Sequence, residues 1–142
     1  FGYYILSIKR RIKSVLLKKR QSFQWYVAVI VPLLLGWAIY QVSGQSIFIE
    51  SAYSIPFPLW VRNYVPDALW MYALTVFIYI WHQEHIVEQW FWGITALFLG
   101  VGYEIGQWYN LFNGTADFTD IIAYAIGWLC AVFTYKYYYS KY

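Results

Sequence analysis

The chain has 142 residues, of which 61% are hydrophobic and only 12% are charged. A soluble domain carries about 25% charged residues, so this composition excludes an ordinary water-exposed surface. Because a helix needs about 20 apolar residues to cross the hydrocarbon of a bilayer, and the chain has several such runs, the sequence predicts an integral membrane protein of one domain.

Residues 1–20 form a basic segment with seven of the ten Lys and Arg residues of the chain. These are Lys9, Arg10, Arg11, Lys13, Lys18, Lys19 and Arg20. Ile5, Ile8 and Ile12 recur at helical spacing between them, which predicts an amphipathic helix on anionic lipid headgroups. The segment lacks the cleavage site of a signal peptide, so we expect it in the mature chain. No nucleic-acid partner is expected, because base-reading or stacking features outside the membrane are missing.

Residues 21–142 are predicted to form an all-α membrane domain, a bundle of four transmembrane helices. The spans cover about 23–42, 66–81, 90–109 and 119–137. The second span is expected to begin at Pro66, since proline is favoured at the first helical position. Residues 43–65 have too few uninterrupted apolar residues to cross, so we predict an amphipathic loop there.

The distribution of basic residues predicts the orientation of the bundle. Lys and Arg near the ends of spans are retained in the cytoplasm, which places the N-terminus inside. Four crossings return the C-terminus to the same side, in agreement with Lys136 and Lys141 beside the last helix. The loops 43–65 and 110–118 then face outward.

The cytoplasmic connector between the second and third spans invites a metal interpretation. It contains His82, Glu84, His85 and Glu88, and these side-chain types are common metal ligands. Their spacing fits no strong signature, so a solvated turn is the preferred interpretation. We expect neither a metal nor a cofactor.

Four acidic residues are predicted to meet on the outer side of the bundle. They are Asp67, Glu104, Asp117 and Asp120. Glu104 lies about five residues before the end of its span, roughly 7 Å below the interface. A carboxylate at that depth is costly unless it is paired, protonated or beside water, so it is a candidate site residue.

Further polar residues share the faces of these acids. Gln107 lies three residues after Glu104, and Tyr124 lies four residues after Asp120, so each pair occupies one helical face. Arg62 is the one extracytoplasmic basic residue that can neutralise the acids. We therefore expect a ligand-binding site formed by Glu104, Gln107, Asp120 and Tyr124, with Asp67, Asp117 and Arg62 beside it.

Structural roles are the alternative for these residues. Asp117 and Asp120 fit the N-cap and the first turn of the fourth helix, and Asp67 fits the start of the second helix likewise. Glu104 has the alternative role of a structural hydrogen bond to a neighbouring helix. Gly100, Gly102 and Gly106 are expected to permit close helix packing, and the last two have GxxxG spacing.

The pattern E-x-x-Q, a short Gly-Thr and Asp loop, then D-x-x-A-Y-x-x-G resembles the VanZ-like family of small bacterial membrane proteins. The pattern comprises Glu104, Gln107, Gly114, Thr115, Asp117, Asp120, Ala123, Tyr124 and Gly127. The resemblance implies a multi-pass protein of the bacterial inner membrane, associated with low-level resistance to the glycopeptide teicoplanin. This chain departs from the family at Tyr124, where Asn is common, and in the absence of a basic residue from 110–118.

Three functions remain open at this point. The first is a non-catalytic, envelope-modulating protein whose outer-leaflet site binds a lipid-linked or glycopeptide ligand. The second is a structural subunit whose acidic pocket docks an Arg or Lys of a partner membrane protein. The third is an intramembrane hydrolase in which Glu104 and Asp120 share a proton and activate water.

Overall fold

The computed structural model describes residues 23–24, 26–42, 58–83, 85–113 and 116–139. These residues form four α-helices and no strand, which confirms the predicted all-α fold. The helices are α1 (Tyr26–Val42), α2 (Leu59–Trp81), α3 (Ile86–Trp108) and α4 (Phe118–Tyr139). The predicted basic helix of residues 1–20 and most of the predicted loop 43–65 lie outside the described residues.

Two of the described helices are long and apolar enough to cross a membrane. They are α2, with 23 residues, and α4, over the 20 residues from Phe118 to Tyr137. α1 is apolar but shorter, and α3 has 23 residues but carries Glu88 and Glu104. The prediction of membrane-spanning helices therefore has support for α2 and α4, while four crossings remain a prediction.

α2 and α4 run parallel to each other, and α3 runs between their ends in the opposite direction. The Tyr64 hydroxyl near the start of α2 donates to Asp117 Oδ2, just before α4, at 3.2 Å. At the other end, Gln89 Nε2 near the start of α3 donates to the Tyr135 hydroxyl late in α4 at 2.8 Å. We call the first end the acidic end and the second the tyrosine end.

α2 and α4 pack backbone to backbone at Gly127. A Cβ atom at this position would collide with the backbone carbonyl of Ala68. Small residues let helices pack backbone to backbone, which is how membrane helices gain van der Waals contact without a hydrophobic driving force. The predicted packing role holds for Gly100, which lies against the side chains of Met71 in α2 and Tyr124 in α4. It fails for the other two glycines, because Gly102 has no neighbour among the described residues and Gly106 faces the Phe112 ring after α3.

The best-buried apolar cluster lies at the tyrosine end. Val76 and Ala131 are fully buried, and Val132 is nearly so. The rings of Tyr79 and Tyr135 meet edge to face with centroids 5.1 Å apart, an arrangement that the ring quadrupoles favour. This cluster holds the far ends of α2 and α4 together and leaves the acidic end to polar contacts.

The predicted start of the second helix at Pro66 is wrong. α2 begins at Leu59, after Pro58, and Pro66 lies inside it. An internal proline removes one backbone hydrogen bond, so tertiary packing has to offset the cost. Pro66 is buried, and Gly36 of α1 lies against its carbonyl and against the Trp70 side chain. Residues 59–65, predicted as loop, are helical for this reason.

Candidate functional site

Glu104 is a buried carboxylate near the end of α3, with 4% of its surface exposed. Its Oε1 accepts a hydrogen bond from the Tyr124 hydroxyl at 3.1 Å, and its Oε2 accepts one from the Asp117 backbone N–H at 3.3 Å. Buried carboxylates require such partners, because desolvation without them is costly. Glu104 therefore connects α3 both to the entry and to the second turn of α4.

The turn after α3 sends the chain back toward Glu104. Asn110 adopts a left-handed conformation with φ of 57°, which Asn tolerates better than most residues. The Leu111 N–H donates to the Gly106 carbonyl at 2.8 Å, and the Asn110 N–H donates to the Gln107 carbonyl at 2.9 Å. This pair of bonds is a Schellman motif, and it satisfies carbonyls that the helix end leaves open.

Asp117 is the N-cap of α4, as its alternative structural role predicted. Its Oδ1 accepts hydrogen bonds from the Thr119 backbone N–H at 2.8 Å and from the Thr119 hydroxyl at 2.7 Å. These two bonds and a weaker one from the Tyr64 hydroxyl hold the pKa of Asp117 below its ordinary value. Asp120 occupies the first turn of the same helix, again as predicted.

Asp67 does not serve the start of its helix, so that alternative is wrong. α2 begins eight residues earlier in the chain, at Leu59, and Asp67 lies one position after the internal Pro66. Its carboxyl is close enough to Asp120 and Glu104 for their negative charges to interact. Acidic residues of three different helices therefore lie together at the acidic end.

These residues border a recess of about 450 Å³, which we call the acidic recess. Three carboxyl-bearing residues, Asp67, Asp117 and Asp120, line it together with Tyr40 of α1 and residues of the first turns of α2. Glu104 lies behind Asp117 rather than in the lining. The recess therefore combines a negative wall with a buried acid that holds this wall in place.

Gln107 and Tyr124 lie beside the acidic recess, not in its lining. The Gln107 Nε2 donates to the Asn113 carbonyl at 3.3 Å, so this side chain holds the loop that follows α3. The Tyr124 hydroxyl donates a hydrogen bond to Glu104 Oε1. Of the predicted site residues, these two have contacts that position other groups of the site.

Arg62 lines the acidic recess, as its predicted role requires, but it forms no ion pair with a carboxylate of the described residues. Its Nε donates to Asn63 Oδ1 at 3.3 Å. The positive charge is thus present at the recess without direct contact to Asp67, Asp117 or Asp120.

Sequence reasoning missed the contributions of Tyr40, Asn63, Tyr64 and Trp70 to the lining. Three of them precede or follow Asp67 by three or four positions, which places them on its helical face. The signal was present in the sequence. The prediction of a loop over residues 59–65 hides this spacing, because a loop has no helical faces.

The arrangement does not favour catalysis by a carboxylate pair. No hydrogen bond joins Glu104 to Asp120 within the described part of the chain, and both Glu104 oxygens accept from other donors. A shared proton requires direct contact of the two carboxyl groups. The site is arranged to hold charge in a fixed place, which suits binding.

The connector at the tyrosine end contains an exposed contact between His82 Nδ1 and Glu88 Oε2 at 2.7 Å. Glu84 lies outside the described residues. The described parts of the chain contain no group of three His, Cys, Asp or Glu side chains able to hold a metal ion.

Comparisons of the chain with protein-family models, with curated proteins and with solved structures give no match. The resemblance to the VanZ-like family therefore stays a prediction. The function has to be inferred from the geometry of the acidic recess.

Proposed function

We propose that this chain is a polytopic membrane protein that binds a positively charged or hydroxyl-rich ligand in the acidic recess, at the outer surface of the bilayer. The observation that carries the proposal is the convergence of Asp67, Asp117 and Asp120 on one recess of about 450 Å³. Like charges in one place repel one another, and a cation that enters relieves this repulsion. Binding is therefore favoured for an amine or guanidinium group over a phosphate.

Membrane insertion is supported by the surface of the bundle as well as by the apolar α2 and α4. Large apolar side chains on all the helices face outward, among them Leu34, Leu74, Phe98 and Phe133. Phe98 and Phe133 are each 68% exposed. Monomeric soluble proteins rarely expose large contiguous apolar patches, whereas lipid chains cover such a surface without cost.

The outward position of the acidic recess follows from the predicted orientation. The basic segment and Lys136 mark the cytoplasmic side, and Lys136 lies in the last turn of α4, at the tyrosine end. The acidic recess lies at the opposite end of the bundle. A ligand would then reach it from outside the cell, or laterally from the outer leaflet.

A relationship to the VanZ-like family belongs to this proposal. The residues of the resemblance include Glu104, Asp117, Asp120 and Tyr124, which surround the same end of the bundle. Arg62 lines the acidic recess, so it can supply the basic group that this chain lacks in 110–118. The ligand would then be a lipid-linked wall precursor or a lipophilic glycopeptide, with envelope modulation as the outcome.

Susceptibility to teicoplanin in a sensitive bacterial host tests this function. The double variant Asp67→Asn and Asp120→Asn replaces two carboxyl groups of the acidic recess by amides of nearly the same size. We expect it to abolish any resistance that the wild-type chain confers at matched expression. Glu88→Gln is the control, because Glu88 is exposed at the tyrosine end. Equal susceptibility with the wild type and the double variant would count against the proposal.

A structural role is the second candidate, because a partner protein can supply the same positive charge. In that case an Arg or Lys of a neighbouring membrane helix occupies the acidic recess. Trp108 is 73% exposed at the acidic end, and exposed aromatic side chains are typical of interfaces. Purification in mild detergent with a stoichiometric partner, lost in the same double variant, would select this alternative.

A further inference from the structure

A second cavity, of about 510 Å³, lies at the tyrosine end, on the far side of the bundle from the acidic recess. Its lining is mainly apolar and aromatic and comes from the start of α3 and the end of α4. It includes Ile86, Trp90, Phe133 and Tyr137, with Tyr79 of α2 beside them. None of these residues lines the acidic recess.

Lys136 supplies the positive charge of this cavity. Its side chain is exposed, and its Nζ lies 5.3 Å from the centroid of the Trp90 ring, a cation–π contact. No carboxylate among the described residues forms an ion pair with it. The lysine is therefore held at the cavity by an aromatic ring, with its charge available to an anion.

Two buried polar side chains, Tyr79 and Gln89, belong to the wall of the cavity. The Tyr79 hydroxyl is buried and has no hydrogen-bond partner in the described part of the chain. The amide of the neighbouring Gln89 does have hydrogen-bond partners, since its Nε2 donates to the Tyr135 hydroxyl and to the Tyr79 carbonyl. The Tyr79 hydroxyl lies beside Gly93 and has almost no accessible surface, so it contributes to the wall of the cavity and not to its open face.

We propose that this cavity holds an acyl chain of one anionic phospholipid, whose headgroup pairs with Lys136. The inference rests on the membrane insertion in the proposed function, because Lys136 in the last turn of α4 then lies at the level of the headgroups. The apolar lining suits an acyl chain, and the lysine suits a negative headgroup.

Native mass spectrometry of the full chain in mild non-ionic detergent tests the proposal. Phosphatidylglycerol and phosphatidylcholine with identical acyl chains are added separately, and bound lipids are counted. We expect preferential retention of phosphatidylglycerol. Lys136→Gln should weaken this retention roughly fivefold, the effect of one basic residue near an anionic surface, and Lys136→Arg should preserve it. Lipid held by the basic segment is common to all variants, so only their differences count.

A second pair of variants tests the acyl-chain part. Ile86→Trp adds bulk in the lining, whereas Val87→Trp adds the same bulk at a neighbouring residue that is 77% exposed and outside the lining. Loss of phosphatidylglycerol with Ile86→Trp alone would support the proposal. Equal binding of both lipids, no effect of Lys136→Gln, or a change in subunit number with Ile86→Trp instead of lipid loss would overturn it.

These outcomes are distinguishable from a failure of the proposed function. The number of bound lipids reports on the cavity at the tyrosine end. The variants of the acidic recess should leave this number unchanged. A chain that stays soluble without detergent would instead contradict membrane insertion, and with it both proposals.

Discussion

Tyr124 of α4 donates a hydrogen bond to the buried carboxylate of Glu104 in α3, at 3.1 Å between the oxygens. The same carboxylate accepts a bond from the backbone of Asp117, at the start of α4. One acid therefore fixes both the rotation of α4 and the position of its N-cap. Because Asp117 and Asp120 line the acidic recess, the shape of the recess depends on Glu104 without direct exposure of its side chain.

We expect Tyr124→Phe to lower the free energy of unfolding by about 1 kcal/mol, since it removes one donor to Glu104. Glu104→Ala should cost more, because it leaves two donors without an acceptor. Denaturation in mild detergent measures both effects. In the Glu104→Ala background, Tyr124→Phe should cost nothing further. Strictly additive losses would show that the two side chains do not act as a pair.

The contact of Gly127 with Ala68 makes a second prediction. Gly127→Ala should lower the free energy of unfolding by about 2 kcal/mol or more, because the new methyl group meets a backbone carbonyl that cannot move aside. Gly102→Ala is the matched control. No atom of the described residues lies near a Cβ at position 102, so this variant should gain about 0.5 to 1 kcal/mol from helix propensity. Similar effects at both positions would contradict the described packing of α2 on α4.

The cap of α4 should respond to pH. The pKa of Asp117 is lowered from 3.8, chiefly by the Thr119 backbone bond, so its ionised form stabilises the fold. This contribution is fully present above pH 3.8 and is lost as the pH falls through the lower pKa of the folded chain. Asp117→Asn keeps a capping oxygen but cannot ionise. The stability difference between the wild type and this variant should shrink with acidification, and a difference that grows would contradict the assignment.

Two tyrosines of the tyrosine end should respond oppositely to the same change. Tyr79→Phe removes a buried hydroxyl that has no partner among the described residues, so in lipid-free detergent it should raise the free energy of unfolding by about 1 kcal/mol. Tyr135→Phe removes the acceptor of the Gln89 amide and should lower it by about 1 kcal/mol. Destabilisation by both variants would indicate an unseen partner of the Tyr79 hydroxyl.

The sequence predicted the helical elements because long apolar runs dominate the chain. The meeting of the acids was also predictable, since alternating helix directions bring Asp67, Glu104 and Asp117 to one end. The end of α3 followed from local signals. An Asn lies at position 110, where the chain needs a left-handed residue.

The start of α2 was not predictable from local signals. A proline usually marks a helix boundary, and only the burial of Pro66 and its contact with α1 explain a helix that continues through it. The choice of glycine for close packing failed for a similar reason. Spacing places Gly102 and Gly106 on one face, but the neighbours of that face are set by the whole bundle, and Gly100 and Gly127 make the helix contacts instead.

The central claim is that the acidic recess opens to the outside of the cell and favours cations. Cysteine labelling in intact cells tests both parts at once. Cys130 is exposed, so it is first replaced by Ala, and a new cysteine is introduced by Asn63→Cys in the recess lining or by Val87→Cys at the tyrosine end. Two membrane-impermeant methanethiosulfonates are compared, one with a trimethylammonium group and one with a sulfonate.

We predict that the cysteine at position 63 reacts in intact cells. When each rate is divided by the rate of the same reagent with a free thiol in solution, the cationic reagent should react roughly tenfold faster than the anionic one, because the negatively charged recess concentrates cations. Asp67→Asn together with Asp120→Asn should remove most of this preference. The cysteine at position 87 should react only after the membrane is permeabilised. Equal rates with the two reagents at position 63, or labelling of position 87 but not 63 in intact cells, would contradict the account.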